Sequence, residues 1–377
     1  MNISVMKFAD AVFGRIIACL FPKPAVNQKP ATEPRSVLVI RPGGIGDAIL
    51  LIPAIQRIKQ MYPEAQIKVL AEKRNAPAFG LYPDVTTTFC YDSPMGLFQA
   101  FRWHYDVVID TEQWYRLSAV VARLIRAPVK IGFATNERRR MLTHAIEYDQ
   151  HAYETDNFLA LLNPLGIVGQ ANVETPSLVV PHQSVSKTLQ LLQPLGSESF
   201  VAIFPGASIP EKRWGTDRFR HVAEILTGFG IRTVVVGGKE DRQQGEEIAG
   251  GGVALNLAGL TSLPETAAVI QKSAMLVSGD SGVLHIAVGL GVPTVSLFGP
   301  GRTPKWAPKG EHHIVINKEL PCSPCTTFGN TPRCPNNSQC MRDITVDEVV
   351  NAVTMLLTSV GAMQSRCCKR DWIETKQ

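Results

Sequence analysis

The sequence predicts an α/β protein with two domains, each built on a parallel sheet. The chain has 377 residues, which is too many for one ordinary domain and enough for two that each bury a core. From Ser36 onward, short apolar segments alternate with helical patterns, which is typical of βαβ units. The alternation breaks in a polar, arginine-rich stretch after Phe133 and resumes at Phe200, so the two series belong to separate sheets.

Each series begins with a buried strand that leads into a loop and a helix. The first has predicted strands over 37–40, 67–70, 87–90, 106–110 and 129–133, and helices over 47–61 and 153–165. The second has strands over 200–204, 233–238, 275–278 and 294–298, with helices over 217–229, 243–249, 265–273 and 282–290. Open α/β sheets bind ligands at the carboxyl ends of their strands, so two such domains in tandem predict a cleft between them.

The ends of the chain differ from these two domains, which we place at 35–180 and 181–345. Residues 1–34 are predicted to form an amphipathic helix and a Pro-rich tether, and 346–377 a helix, able to pack back across the domain boundary, with a tail. Lys7, Asp10 and Arg15 make the first 21 residues expensive to span a membrane. The segment therefore either lies in a membrane interface or packs on protein.

Composition narrows the class of partner. The chain is 45% hydrophobic and 19% charged, with a net charge of +5, which suits an anionic substrate or a membrane surface and is too weak to indicate nucleic acid. Four of the eight cysteines crowd into one late segment and no cleavable signal is evident, which is unlike a secreted disulfide framework. We therefore expect a cytoplasmic protein.

The first motif runs from Arg41 to Asp47 and contains Gly44 and Gly46 between a strand and a helix. Glycines allow a ligand to approach the backbone, and a helix N-terminus attracts anions. The loop half-matches a dinucleotide fingerprint with Glu72 as its acidic residue, so a dehydrogenase is one alternative. Asp47 would repel a pyrophosphate but suits general-base work on a hydroxyl. Its alternative role is to cap the helix.

Two further motifs follow strands of the second domain. Ser208 ends a small-residue turn and Lys212 follows, which together can cradle a diphosphate, although an ordinary surface loop has the same pattern. Residues 278–285 form another strand–loop–helix junction. There the amides of Ser281 and Gly282 would point at a bound anion, and His285, one turn on, is either a ligand contact or structural.

Together and in this order, the three motifs resemble those of glycosyltransferase family 9, which contains the ADP-heptose:lipopolysaccharide heptosyltransferases. The resemblance spans about 37–350. It implies the GT-B fold, with two Rossmann-like domains and a cleft between them, the first on the acceptor side and the second binding the nucleotide sugar. It also implies inversion at the anomeric carbon without a metal or another cofactor. The partners would be an ADP-heptose donor and a lipid-linked or lipopolysaccharide-core acceptor.

The resemblance also assigns roles to single residues. Asp47 would deprotonate the acceptor hydroxyl, beside the acceptor-side loop of Gly44 and Gly46. The implied donor contacts are Ser208 and Lys212 for the diphosphate, Asp280, Ser281, Gly282 and His285 for sugar and phosphates, Leu260 and Thr261 for adenine, and Glu240 for ribose. A nucleotide-sugar epimerase is the nearest rival, because the same architecture can bind the same donors, and a non-catalytic binding protein is another.

Two further features receive no role from the resemblance. Arg138–Arg140 would either meet acceptor phosphates or form a solvated basic loop. Cys322, Cys325, Cys334 and Cys340 would either hold zinc or form a reduced or redox-sensitive loop, and the five residues between the second pair exceed the usual zinc spacing.

Overall fold

The chain forms two compact units, Met1–Val179 and Val180–Gln377. This computed structural model describes residues 10, 14, 20–22, 24, 33–169 and 176–359. Most of the predicted N-terminal helix and tether, and the predicted tail after Ser359, lie outside the described residues. No helix in the described part of the chain is both long enough and apolar enough to cross a membrane.

The first unit is built on a six-stranded sheet in which every strand pair is parallel. Its strand order is β3-β2-β1-β4-β5-β6, so the order reverses between β1 and β4. The strands are β1 Ser36–Arg41, β2 Gln66–Ala71, β3 Val85–Cys90, β4 Val107–Asp110, β5 Val129–Phe133 and β6 His144–Ile146. Its helices are α1 Ile45–Met61, α2 Ala76–Phe79, α3 Pro94–Phe101, α4 Arg116–Leu124 and α5 Glu154–Ala160.

The second unit repeats this topology. Its strand order, read as β9-β8-β7-β10-β11-β12, is that of the first sheet, and the reversal falls between β7 and β10. The strands are β7 Phe200–Phe204, β8 Arg232–Val235, β9 Leu255–Asn256, β10 Met275–Gly279, β11 Thr294–Phe298 and β12 His313–Asn317. The helices are α6 His182–Leu191, α7 Thr216–Gly228, α8 Arg242–Ala249, α9 Leu263–Lys272, α10 Gly282–Gly289, α11 Thr303–Trp306, α12 Gln339–Arg342 and α13 Val346–Ser359.

Both sheets have central strands that are buried on both faces. All residues of β4, β7 and β10 are buried, and their sequences are nearly continuous apolar runs. This is the pattern expected of a parallel strand covered by helices on each side. Such runs explain why the central strands were predictable within one or two residues.

The C-terminal helix packs within its own unit. Val349 and Val353 of α13 lie in the same buried cluster as Val222 and Leu226 of α7. Its apolar face is thus part of the core of the second unit.

Candidate active site

The loop after β1 is shaped by the side chain of Arg41. Gly43 has φ +118°, and a Cβ atom there would lie 3.0 Å from Nη2 of Arg41. Gly44 caps α1, so Asp47 stands in the first turn of the helix. A left-handed backbone conformation with no room for a Cβ requires glycine at position 43. The backbone of this loop therefore packs directly against the side chain of Arg41.

Arg41 and Asp47 form an ion pair, with 3.1 Å between Nη2 and Oδ2. The arginine side chain is 2% exposed and the carboxylate 27% exposed. Nη1 of Arg41 donates to the carbonyl oxygen of Thr111 at 2.7 Å, and Nη2 lies 3.9 Å from Oε2 of Glu112. A buried cation thus holds a carboxylate that remains open to solvent.

The carboxylates around Arg41 keep its charge in place. Burial alone would lower the pKa of Arg41, but the attraction of Asp47 and Glu112 outweighs burial and raises that pKa. The capping role considered for Asp47 is wrong, because the cap position belongs to Gly44 and the Asp47 carboxylate accepts from Arg41. A carboxylate in the first helical turn still interacts favourably with the helix dipole.

In the second unit, Lys212 and Asp280 are in contact across two loops. Nζ of Lys212 lies 2.6 Å from Oδ2 of Asp280, with the side chains 16% and 8% exposed. The same Nζ is 5.9 Å from the centre of the Trp306 ring. A Cβ atom on Gly301 would lie 2.2 Å from Oδ2 of Asp280, so the backbone after β11 passes against this carboxylate. The pair is therefore walled in by the loops after β7, β10 and β11.

The other residues of the third motif occupy the start of α10. The Ser281 hydroxyl caps the helix by accepting from the Leu284 amide at 3.3 Å, and it shares a 2.9 Å hydrogen bond with Ser278. Gly282 is the first helical residue. His285 is buried one turn further on, at 4% exposure. The serine hydroxyl thus builds the loop, while the helix start remains partly exposed.

The remaining candidates follow neighbouring strands of the same sheet. Ser208 is exposed after β7, and Glu240 is exposed after β8. Leu260 is 49% exposed after β9, and the Thr261 hydroxyl beside it is hydrogen-bonded to Thr266 at 2.8 Å. Because the strands are parallel, these positions share one edge of the sheet with Lys212 and Asp280. The described contacts join only the last two directly.

Arg138 is neither a phosphate contact nor part of a solvated loop. It is fully buried, and Nη2 lies 2.6 Å from Oδ2 of the equally buried Asp110. It also donates to the carbonyl oxygen of Glu112. Both alternatives are wrong for Arg138, because a run of three arginines carries no signal for the one whose side chain turns inward. Arg139 is exposed, as expected of a solvated loop.

Several site residues were not assigned a role from the sequence. Arg41 stood inside the first motif, but its pairing with Asp47 depends on a backbone path that the sequence does not specify. Glu112 follows β4, so its position at the reversal of strand order was the available signal. Gly301 and Trp306 follow β11, outside every motif identified.

The four late cysteines are free thiols in the structure. Cys322 is exposed and Cys340 buried. Within the residues described, no group of three or more His, Cys, Asp or Glu side chains is placed to hold a metal ion.

Two Rossmann-like units, each with a parallel sheet and a polar cluster at the reversal of strand order, are the elements of the GT-B fold. The chain belongs to glycosyltransferase family 9 (heptosyltransferase), whose family model matches residues 95–334. It is 28% identical over 293 residues to lipopolysaccharide heptosyltransferase 3 of Escherichia coli, covering 71% of this chain and 85% of the relative. It is 26% identical over 351 residues to lipopolysaccharide heptosyltransferase 2 of Salmonella typhimurium, covering 86% and 99%.

A solved structure supports the fold. The chain is similar to the ADP-heptose lipopolysaccharide heptosyltransferase II of E. coli, with a TM-score of 0.72 and 23% identity over 86% of this chain and 99% of that one. The predicted fold class and family are confirmed, and the chain is a glycosyltransferase. The epimerase and dehydrogenase alternatives are not favoured by these relatives.

Proposed function

We propose that this enzyme transfers heptose from ADP-heptose to a lipopolysaccharide-core acceptor, inverting the anomeric centre without a metal. The similarity to lipopolysaccharide heptosyltransferases supports heptose as the sugar and a lipopolysaccharide core as the acceptor. The observation that carries the chemistry is that each unit holds one charged pair: Asp47 with Arg41 in the first unit, and Lys212 with Asp280 in the second. In this proposal residues 35–180 serve the acceptor and residues 181–345 the donor.

On the acceptor side, Asp47 is the proposed general base. Its carboxylate takes the proton of the acceptor hydroxyl while that oxygen forms a bond to the anomeric carbon. The partial exposure of Asp47 supports this role, because a base must be reachable by the substrate. Gly44 before α1 and Gly46 in its first turn have no side chains, so a sugar ring would have room to approach the carboxylate.

On the donor side, the bond between the anomeric carbon and the diphosphate oxygen breaks, and ADP leaves with the electron pair. Lys212 is proposed to stabilise the charge that develops on the leaving phosphate. Its ammonium is held by Asp280, which fixes its position at the carboxyl end of the sheet. Asp280 is then free to accept from a sugar hydroxyl.

The other donor contacts are proposed from their shared edge of the sheet. Ser208 and the helix start at Ser281 and Gly282 would hold the phosphates, with His285 behind them. Glu240 would accept from the ribose hydroxyls, and Leu260 with Thr261 would border the adenine.

The donor is tested by calorimetry with the purified enzyme. Binding of ADP-heptose is compared with binding of UDP- and GDP-sugars and of NAD. We expect ADP-heptose to bind most tightly. Preference for another nucleotide sugar would overturn the proposed donor, and binding of NAD alone would overturn the whole assignment.

We also propose a peripheral contact with the cytoplasmic face of the inner membrane through residues 1–21. Asp10 is 3% exposed and accepts from the Leu117 amide at 2.7 Å, whereas Leu20 is 76% exposed. In the sequence, Val5, Phe8 and Val12 fall on the opposite side of a helical wheel from Asp10, which is the pattern of an interfacial amphipathic helix.

Sedimentation with anionic phospholipid vesicles tests this contact. Replacing Phe8 and Val12 by Asp should release the enzyme into the supernatant while donor binding is retained. Cosedimentation that is unchanged in this variant would contradict the membrane contact.

A further inference from the structure

We propose that Arg41 positions the catalytic base by holding Oδ2 of Asp47 and leaving Oδ1 to accept the proton. This inference rests on the proposed function, because it takes Asp47 as the base. It assigns to Arg41 a role through Asp47 and no contact with the reacting atoms.

The guanidinium of Arg41 is held in place by a contact other than the one to Asp47. Nη1 donates to the Thr111 carbonyl oxygen at 2.7 Å while Nη2 donates to Asp47 at 3.1 Å. The backbone oxygen of Arg41 in turn accepts from the side-chain amide of buried Asn75 at 3.0 Å. Because a guanidinium is planar, fixing one nitrogen fixes the direction of the other. The direction of the Asp47 carboxylate is thereby set as well.

This contact ties the base to the rigid part of the unit. Arg41 ends β1 and Thr111 follows β4, so the side chain bridges the two strands at which the order reverses. The end of β4 is itself secured, since buried Asp110 pairs with buried Arg138 at 2.6 Å. The position of the Asp47 carboxylate is thus set by contacts to the ends of β1 and β4 and not by the glycine loop alone.

The burial pattern separates this pair from a purely structural one. In the pair of Arg138 with Asp110 both side chains are fully buried, as in a structural ion pair. In the pair of Arg41 with Asp47 the cation is 2% exposed but the carboxylate is 27% exposed. The buried Arg41 therefore holds the Asp47 carboxylate at the surface of the unit, where a substrate can reach it.

Arg41 has a second carboxylate partner besides Asp47. Glu112 lies 3.9 Å from the same Nη2. When Oδ1 takes the proton of the acceptor, Nη2 keeps its hydrogen bond to Oδ2 and remains paired with Glu112. The proton therefore moves without leaving a buried charge unpaired.

A double-mutant cycle tests the inference with Arg41→Met, Asp47→Asn and both together. Misplacing a catalytic group by about 1 Å reduces the rate by about 10²-fold, and we expect this loss of kcat in Arg41→Met with the donor Kd unchanged. The double variant should be no slower than Asp47→Asn alone, because residues that act as a unit are not additive. The inference would be overturned if the loss of kcat in the double variant equals the product of the two single losses, or if Arg41→Met keeps the wild-type kcat.

Two further variants keep the test decisive. Arg41→Lys retains the charge without the fixed fork, and it carries the test if Arg41→Met fails to fold; we expect kcat between those of wild type and Arg41→Met. Lys130→Met is the matched control, since Lys130 is another buried cation of this unit that donates to a backbone carbonyl, at 2.8 Å. Its kcat should stay at the wild-type value. Full activity of Asp47→Asn would instead disprove the proposed base, whatever Arg41 does.

Discussion

Nζ of Lys212 lies 2.6 Å from Oδ2 of Asp280, and this contact joins the loops after β7 and β10, the two strands between which the second sheet reverses its order. Ligands of open α/β sheets bind at this position. The lysine is therefore held where the proposed diphosphate contact requires it. The ring centre of Trp306 lies 5.9 Å from the same nitrogen, within the range of a cation–π interaction.

Lys212→Met should weaken donor binding. A hydrogen bond to a charged group contributes about 1.5–3 kcal/mol, so we expect the Kd for ADP-heptose to rise by about 10–150-fold. Isothermal titration measures the change. Lys272→Met, which removes an exposed lysine at the end of α9, serves as the control and should keep the wild-type Kd. An unchanged Kd in Lys212→Met would contradict the proposed diphosphate contact.

Gly301→Ala should disturb the same site without removing a polar group. The new Cβ would lie 2.2 Å from Oδ2 of Asp280, so the carboxylate must move away from Lys212. We expect weaker donor binding with little change in fold, since the displaced atom ends a side chain. Gly228→Ala is the matched control, because a Cβ there meets nothing within 4 Å. Equal donor affinity in the two variants would show that the placement of Asp280 does not matter.

The sequence was most informative where one physical requirement dominates. The central strands are apolar because both faces are covered, and β5, β7 and β11 begin and end as predicted. The short strands β6 and β9 were missed because two or three residues give no period. The partly exposed edge strand β12, with two histidines before its apolar core, was missed for a related reason. Helix α4 was also missed, although Arg116 and Arg123 share one of its faces and leave the opposite face apolar.

The site was predictable to the level of motifs and not of contacts. Motif order placed Lys212 and Asp280 at one sheet edge, because parallel strands end together. Their 2.6 Å contact depends on how two loops fold, and Gly301 enters it from a third loop. Arg138 illustrates the limit: three successive arginines read as a surface run, although buried Asp110 selects one of them.

Stability should depend on pH through His313. Burial lowers the pKa of this residue from 6.5 to about 4, and neighbouring His312 adds to the shift. The unfolded chain binds more protons between these values, so the free energy of unfolding should fall as the pH falls from 6.5 to about 4. Because the ring is partly exposed, we expect about 1–2 kcal/mol after allowing for solvent screening. Urea titrations at several pH values between 4 and 6.5 should show that the unfolding free energy depends more steeply on pH in wild type than in His313→Asn. The same pH dependence in both proteins would contradict the assignment.

The cysteines should differ in their rates of alkylation. Burial raises the pKa of the Cys340 thiol, and burial followed by the proximity of Cys334 and Cys322 raises that of Cys325. Only the thiolate is nucleophilic. Cys322 is exposed, so iodoacetamide at neutral pH should modify it before Cys340, as followed by peptide mass spectrometry. Faster modification of Cys340 would show that this loop opens in solution.

The most direct test of the account is transfer itself, measured as ADP release and acceptor extension with ADP-heptose and a lipopolysaccharide-core oligosaccharide. Wild-type enzyme should form both products in equal amounts, and Asp47→Asn should retain donor binding while losing about 10²–10⁴-fold in kcat, the range for general-base catalysis. Wild-type kcat in Asp47→Asn, or the absence of transfer by wild-type enzyme that binds ADP-heptose, would contradict the account.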